Sequence, residues 1–284
     1  MTGLGGMLLS ADIPLIRLAD GAPWSILFVR SGLTFVVTLL GWAIWSLASG
    51  RFRPLIPGRI GLAVAALYAA SSIVFILSVY NTTTANLVFI LAFNTAFSAL
   101  LSWIFLKERP RGGTLIAMGF MLVGVAIIVH EGMATGHLFG DAMALLSAFI
   151  LSCAITLSRG SGKDMSFTAI LSTIVPCVLA AASLPSEGFH VAHPVWIMIN
   201  GAALMPVTFF LLAVGPRFLS GPEVAMFYLL ETVFAPVWVW FIFGETPSRQ
   251  SMIGGAILIV ALVLHSLWRL SSGRARSRAI RRPA

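Results

Sequence analysis

Glu231 stands about twelve residues from either end of an apolar run, 220–243, in a chain of 284 residues. A charge at the middle of a membrane-length helix costs roughly 2.5–3.5 kcal/mol on insertion scales. Glu231 therefore either faces an aqueous path, meeting a solute ammonium or carrying a coupling proton, or packs as a neutral, hydrogen-bonded acid. Tyr228 lies one turn earlier on the same helical face and brings a ring and a hydroxyl, for packing or for a site. Asn94 has the same depth in another apolar run, 83–106, with Ser98 and Ser102 following at i+4 and i+8. Such a stripe lines a polar path or hydrogen-bonds between helices at about 1 kcal/mol per contact.

Asp12 and Arg30 read as a pair. At 1.5 Å per residue both sit roughly 7–11 Å below one membrane surface, on runs joined by a short turn. An ion pair buried between antiparallel neighbours accounts for both; the functional alternative is that the planar guanidinium clasps a substrate carboxylate. Tyr68, Ser71, Ser72 and Phe75 share a face of the third run, and Tyr80-Asn81-Thr82-Thr83-Thr84 closes it with a polar cluster. Asn200 and Thr208 are the sparser polar pair of the eighth run. Ser220-Gly221-Pro222-Glu223 reads as a helix-capping box. Glu108 and Glu245 read as solvated stops. Pro14, Pro176, Pro206 and Pro236 fall inside runs, where each removes a backbone donor and bends or breaks its helix.

The elements that hold these residues must be membrane helices. The chain is 58% hydrophobic and 10% charged, far from the quarter of charged residues usual in soluble domains. Continuous apolar runs, without strand-like alternation, predict ten spans near 2–18, 23–47, 59–80, 83–106, 112–130, 138–158, 166–184, 194–215, 220–243 and 249–269. Only short loops remain. The first span starts almost at Met1 with no basic residue before it, so it is either shallow and tilted or preceded by further residues. It has no cleavage pattern of a removable signal. The net charge of +8 comes largely from Arg269, Arg274, Arg276, Arg278, Arg281 and Arg282. A basic tail after a last span marks the cytoplasmic face and anionic lipid rather than nucleic acid. With both termini inside, fifteen of the eighteen Lys and Arg fall on cytoplasmic segments. Cys153 and Cys177 lie in apolar stretches with no metal or disulfide spacing. Nucleotide-binding, zinc-protease and serine-hydrolase motifs are missing from the sequence, so neither a cofactor nor a metal is expected.

Two segments repeat. Residues 94–111, NTAFSALLSWIFLKERPR, and 231–248, ETVFAPVWVWFIFGETPS, share Thr95/Thr232, Phe97/Phe234, Trp103/Trp240, Glu108/Glu245 and Pro110/Pro247. Gly119 and His130 likewise correspond to Gly254 and His265. Five spans per half place the second half upside down, as an inverted repeat.

This pattern resembles the drug/metabolite transporter superfamily, EamA type. The carrying residues are Leu106-Lys107-Glu108-Arg109-Pro110 and Gly244-Glu245-Thr246-Pro247, each closing a fourth helix before a Gly-rich fifth. Ser10-Ala11-Asp12 ahead of Leu15-Ile16-Arg17 and Arg30 in the second helix add to it. The resemblance implies an all-α membrane protein with ten transmembrane helices in two inverted five-helix repeats, 1–131 and 137–270, around a central cavity, with a basic tail at 271–284. It also implies a multi-pass bacterial inner-membrane transporter, not an enzyme, most like the exporters of aromatic and hydrophobic amino acids. The substrate site is expected at Asn94, Ser98, Tyr68, Tyr80, Asn200, Tyr228 and Glu231, with lipid, a small-molecule substrate and protons as partners. A multidrug or vitamin/nucleoside carrier is the alternative within the superfamily; a polytopic membrane enzyme or sensor is the alternative outside it.

Overall fold

The computed structural model describes residues 2–50, 58–110, 112–162, 168–214, 221–244 and 246–280. Arg51, Arg53, Arg111, Lys163, Arg217, Ser220, Glu245, Arg281 and Arg282 lie outside the described residues, as do the side chains of Glu223, Tyr228 and Glu231. The described chain is helical throughout: α1 (Thr2–Leu9), α2 (Asp12–Ala19), α3 (Pro23–Ser49), α4 (Gly58–Asn81), α5 (Thr84–Ala92), α6 (Asn94–Leu106), α7 (Gly112–Thr135), α8 (Leu138–Ser161), α9 (Thr168–Ser172), α10 (Ile174–Glu187), α11 (Pro194–Ile199), a π-helical turn (Asn200–Leu204), α12 (Met205–Val214), α13 (Gly221–Phe243) and α14 (Arg249–Ile280). Among the described residues six spans are long and apolar enough to cross a membrane: α3, α4, the pair α5–α6, α7, α8, and 249–268 of α14. Shorter apolar helices occupy Ile170–Ser186, Pro194–Thr208 and Thr232–Phe243. Large apolar side chains such as Leu47, Phe105 and Phe241 point outward, more than 70% exposed, the inverse of a water-soluble surface.

The helix breaks have local causes. Pro14 has no N–H for Ser10 O, and the first run divides at Ser10-Ala11. Pro176 leaves Ser172 O without a helical donor, and the seventh run divides at Thr173. Ahead of Pro206 the ladder shifts by one residue, so Met205 N–H donates to Asn200 O across a π turn, a known site of inserted strain. Pro236 behaves otherwise: α13 runs through it unbroken. The fourth run breaks at Phe93 with no proline in reach. The tail continues α14 as helix to Ile280 rather than leaving it near 270.

Packing is closest where small residues meet. A Cβ on Gly140 of α8 would overlap the backbone at Asn81–Thr82, and the same α4–α8 seam carries reciprocal bonds between Ser71 and Ser147, each Oγ 3.1 Å from the other's carbonyl oxygen. The antiparallel helices α7 and α14 cross where Gly124 and Gly254 face each other's carbonyl oxygens. They are joined at both ends, by Thr114 Oγ1 to His265 Nε2 at 3.0 Å and by Ser251 Oγ to Glu131 Oε2 at 2.9 Å. Besides these pairs, α3 packs along α10, α6 along α8, and α5 against α13, while α1 lies between α12 and α13. At the end of the bundle carrying Gly136, residues 190–193 clamp the α2–α3 turn: Ala22 N donates to His190 O, Ala192 N to Asp20 O and His193 N to Ala19 O.

Candidate functional site

The break at Ser10-Ala11 makes Asp12 the first residue of α2 and turns it inward, where it is 5% exposed. The short α2–α3 turn brings Arg30 of α3 beside it, and Arg30 Nη2 reaches Asp12 Oδ2 at 2.8 Å. Asn200, fully buried at the start of the π turn, completes a closed set: its Nδ2 donates to Asp12 Oδ1 at 2.7 Å, and its Oδ1 accepts Arg30 Nε at 3.2 Å. Ser72 Oγ and Met205 Sδ take further guanidinium N–H groups at 3.4 and 3.2 Å, and the Phe75 ring lies 5.6 Å below the guanidinium carbon. A buried charge pair survives only when its remaining donors and acceptors are met in this way. The π turn is seated against α3 by Thr34 Oγ1 donating to Gly201 O at 3.0 Å. Asn200 thus joins Asp12 and Arg30 rather than the other expected binding residues.

Asn94 opens α6 just past the Phe93 break. It is half-buried, its carbonyl accepts Ser152 Oγ at 2.9 Å, and its side-chain amide makes no hydrogen bond among the described residues. Ser98, one turn on, has a buried Oγ with no hydrogen-bond partner among the described residues. Phe97 lies between them and stacks edge-on with Phe93 at 4.9 Å and Phe149 at 5.4 Å. Unmet polar groups beside an aromatic cluster suit an amphipathic guest. Tyr68 is half-buried on α4, and Tyr80 is 38% exposed near that helix's end. The backbone of α13 carries Tyr228 and Glu231, whose side chains are outside the described residues.

A second polar region lies at the Gly136 end. A cavity of about 500 Å³ is lined by Arg17, Thr82, Asn86, Glu131, His137 and Ser251, among others. Arg17 Nη2 donates to Thr82 O at 3.0 Å. Behind the cavity Asp141, completely buried in the first turn of α8, meets Thr82 Oγ1 at 2.5 Å. Neither Asp141 nor Asn86 is among the residues expected from the sequence, and Glu131 falls just past the fifth apolar run at 112–130, whereas it lies in the last turns of α7. An acid four residues into an apolar run was the available signal for Asp141. At the opposite end Glu108 pairs with Arg159 at 3.1 Å, both more than half exposed.

Residues 4–130 match the EamA-like transporter family. Two relatives agree with the match: an uncharacterized transporter, sll1164, of Synechocystis is 23% identical over 212 residues, and solute carrier family 35 member G1 of Homo sapiens is 24% identical over 226. These alignments cover 68% and 72% of this chain but 61% and 60% of the relatives, so the chain spans about three fifths of their length. The UPF0060 membrane protein Mpe_A1656 of Methylibium petroleiphilum is 28% identical over 101 residues, 36% of this chain and 85% of its own. One crystal structure superimposes with a TM-score of 0.66 at 15% identity, covering 94% of this chain and 96% of that one. That likeness concerns the fold alone.

Proposed function

We propose that this EamA-like chain is a ten-span exporter of small metabolites, amino acids with aromatic or hydrophobic side chains above all, in a bacterial inner membrane. The four spans beyond the six long ones are α1–α2, α9–α10, α11–α12 and α13. The halves 1–131 and 137–270 are inverted copies, both termini are cytoplasmic, and the basic residues of 271–284 lie against anionic lipid. Several pairings support the inversion. The second span packs on the seventh (α3 on α10), the fifth on the tenth (α7 on α14), and the fourth on the ninth (α5 on α13). Three of the five counterpart pairs thus meet, as helices lying on a pseudo-two-fold axis between the halves would. The α7–α14 links obey it too: the start of one helix bonds near the end of the other, at both ends. A relative little longer than its 101 aligned residues, about the size of one half, fits a duplicated unit.

The observation that carries the substrate reading is the α5–α6 break. It sets the unpaired amide of Asn94 and the unpartnered hydroxyl of Ser98 beside the Phe93, Phe97 and Phe149 rings. An amino acid would place its polar groups on Asn94, Ser98 and Glu231 and its side chain among the aromatics, with Tyr68, Tyr80, Tyr228 and Asn200 along the path. Rocking of the halves would expose the site to each side in turn, with Glu231 meeting the ammonium or carrying a coupling proton. The chain has no nucleotide-binding motif, so a solute or proton gradient would drive it.

Purified protein in liposomes tests the reading. It should release trapped radiolabelled phenylalanine without any other component, and Glu231→Gln should alter the rate and its pH dependence. If wild-type vesicles retain amino acids, nucleosides and cationic drugs alike, the transporter reading fails. If only the variant is unchanged, Glu231 is a packing residue.

A further inference from the structure

One corner of the cavity at the Gly136 end, around Ser251, is short of a hydrogen-bond donor. Ser251 Oγ lies 2.5 Å from Asn86 Oδ1 and 2.9 Å from Glu131 Oε2. A hydroxyl has one hydrogen and can serve only one of these acceptors. Turning the Asn86 amide over would repair the count, but it would aim the amide oxygen at the buried carboxyl of Asp141, which lies on its N–H side. Glu131 adds a second oxygen to the surplus. Among the described residues no Lys, Arg or His pairs with it, although Arg17 and His137 line the same cavity. Ala85, Pro236 and Val239 supply an apolar wall. About 500 Å³ is the size of small-molecule pockets in general.

We propose that Glu131, Asn86 and Ser251 bind the primary ammonium group of a small amphipathic solute at this end of the bundle. An –NH₃⁺ group brings three donors and no acceptor, which fits a site with one hydroxyl hydrogen between two acceptors and an unpaired carboxylate. The hydrogen bonds it forms with Glu131 are charge-assisted and short-ranged. Its apolar body lies along Pro236 and Val239. The Arg17 guanidinium on the same cavity disfavours a second positive charge on the ligand and tolerates a carboxylate, so amino acids qualify and diamines do not. This site is separate from Asn94 and Glu231; it rests on the transporter reading only in being the place where a solute is held before or after crossing.

Binding can be measured without transport, by titration calorimetry of the full chain in nanodiscs. The probes are phenethylamine, L-phenylalanine and 3-phenylpropionate, which share a ring and differ in the head group. Phenethylamine and phenylalanine should bind, and 3-phenylpropionate should bind at least tenfold more weakly. Glu131→Gln should weaken phenethylamine about tenfold or more, Ser251→Ala, which leaves the carboxylate in place, should weaken it by less, and Gly119→Ala, away from the cavity and with nothing within 4 Å, should retain it. Equal binding of phenethylamine and 3-phenylpropionate by the wild type overturns the proposal, and that comparison needs no variant to fold. Loss of binding in Glu231→Gln but not in Glu131→Gln also overturns it, because the ammonium then sits at the midplane site and the transporter reading survives alone.

Discussion

Removing Arg30 should be among the most damaging single changes in the protein. In Arg30→Leu, Asp12 keeps one Asn200 N–H at 2.7 Å but loses its counter-ion at 2.8 Å, while remaining about nine-tenths buried. Breaking a buried pair from one side typically costs about 3–5 kcal/mol, equivalent to roughly a 10²- to 10⁴-fold fall in the folded-to-unfolded ratio. Asn200 Oδ1 also loses its donor. Asp12→Leu should cost a similar amount by stranding the guanidinium. The double variant should not add these losses: no charge remains, and the residual penalty is the orphaned Asn200 amide, about 1–3 kcal/mol. The coupling should therefore be several kcal/mol in favour of the double variant. Reversible unfolding in mixed micelles, titrated with a denaturing detergent, measures all four corners of the cycle. If Arg30→Leu costs under about 1 kcal/mol, or if the two single losses simply add, the closed Asp12–Arg30–Asn200 set does not hold α2, α3 and the π turn together as argued.

Gly124→Val should destabilise by about 1–3 kcal/mol, because even its Cβ would stand 2.8 Å from Gly254 O and 2.9 Å from Leu258 Cγ. Gly119→Ala, where nothing lies within 4 Å, should be neutral or slightly stabilising, and thermal unfolding in one detergent compares the two. Glu108→Gln should change stability by about 1 kcal/mol or less, since its partner Arg159 is 54% exposed and the pair is screened by solvent; a melting curve at low and high salt checks this.

Much of this architecture is legible along the chain, because membrane helices declare themselves by length and apolarity. The breaks at Ser10-Ala11 and Thr173 are legible as well, since Pro14 and Pro176 remove specific backbone donors. The meeting of Asp12 and Arg30 follows from a turn too short to separate their helices. The break at Phe93 is not legible: no proline or glycine marks it. Nor is the Asn86–Ser251–Glu131 link, whose members are 165 and 120 residues apart and meet only when α5, α7 and α14 converge. Asn200 shows the same limit from the other side. It reads as a pathway residue by type and depth, yet its hydrogen bonds go to Asp12 and Arg30 because the π turn rotates it towards them. Asp141 escapes notice because an acid in a helix's first turn is ordinarily favourable there, which hides its complete burial.

The inverted duplication is tested most directly by where chosen residues sit across the membrane. In a cysteine-free background, single cysteines at Ser49, Ser271, His137 and His193 can be labelled with a membrane-impermeant maleimide in intact and then permeabilised cells. The account predicts that His137→Cys and His193→Cys react in intact cells, while Ser49→Cys and Ser271→Cys react only after permeabilisation. Reaction of Ser49→Cys and Ser271→Cys from opposite sides would contradict it.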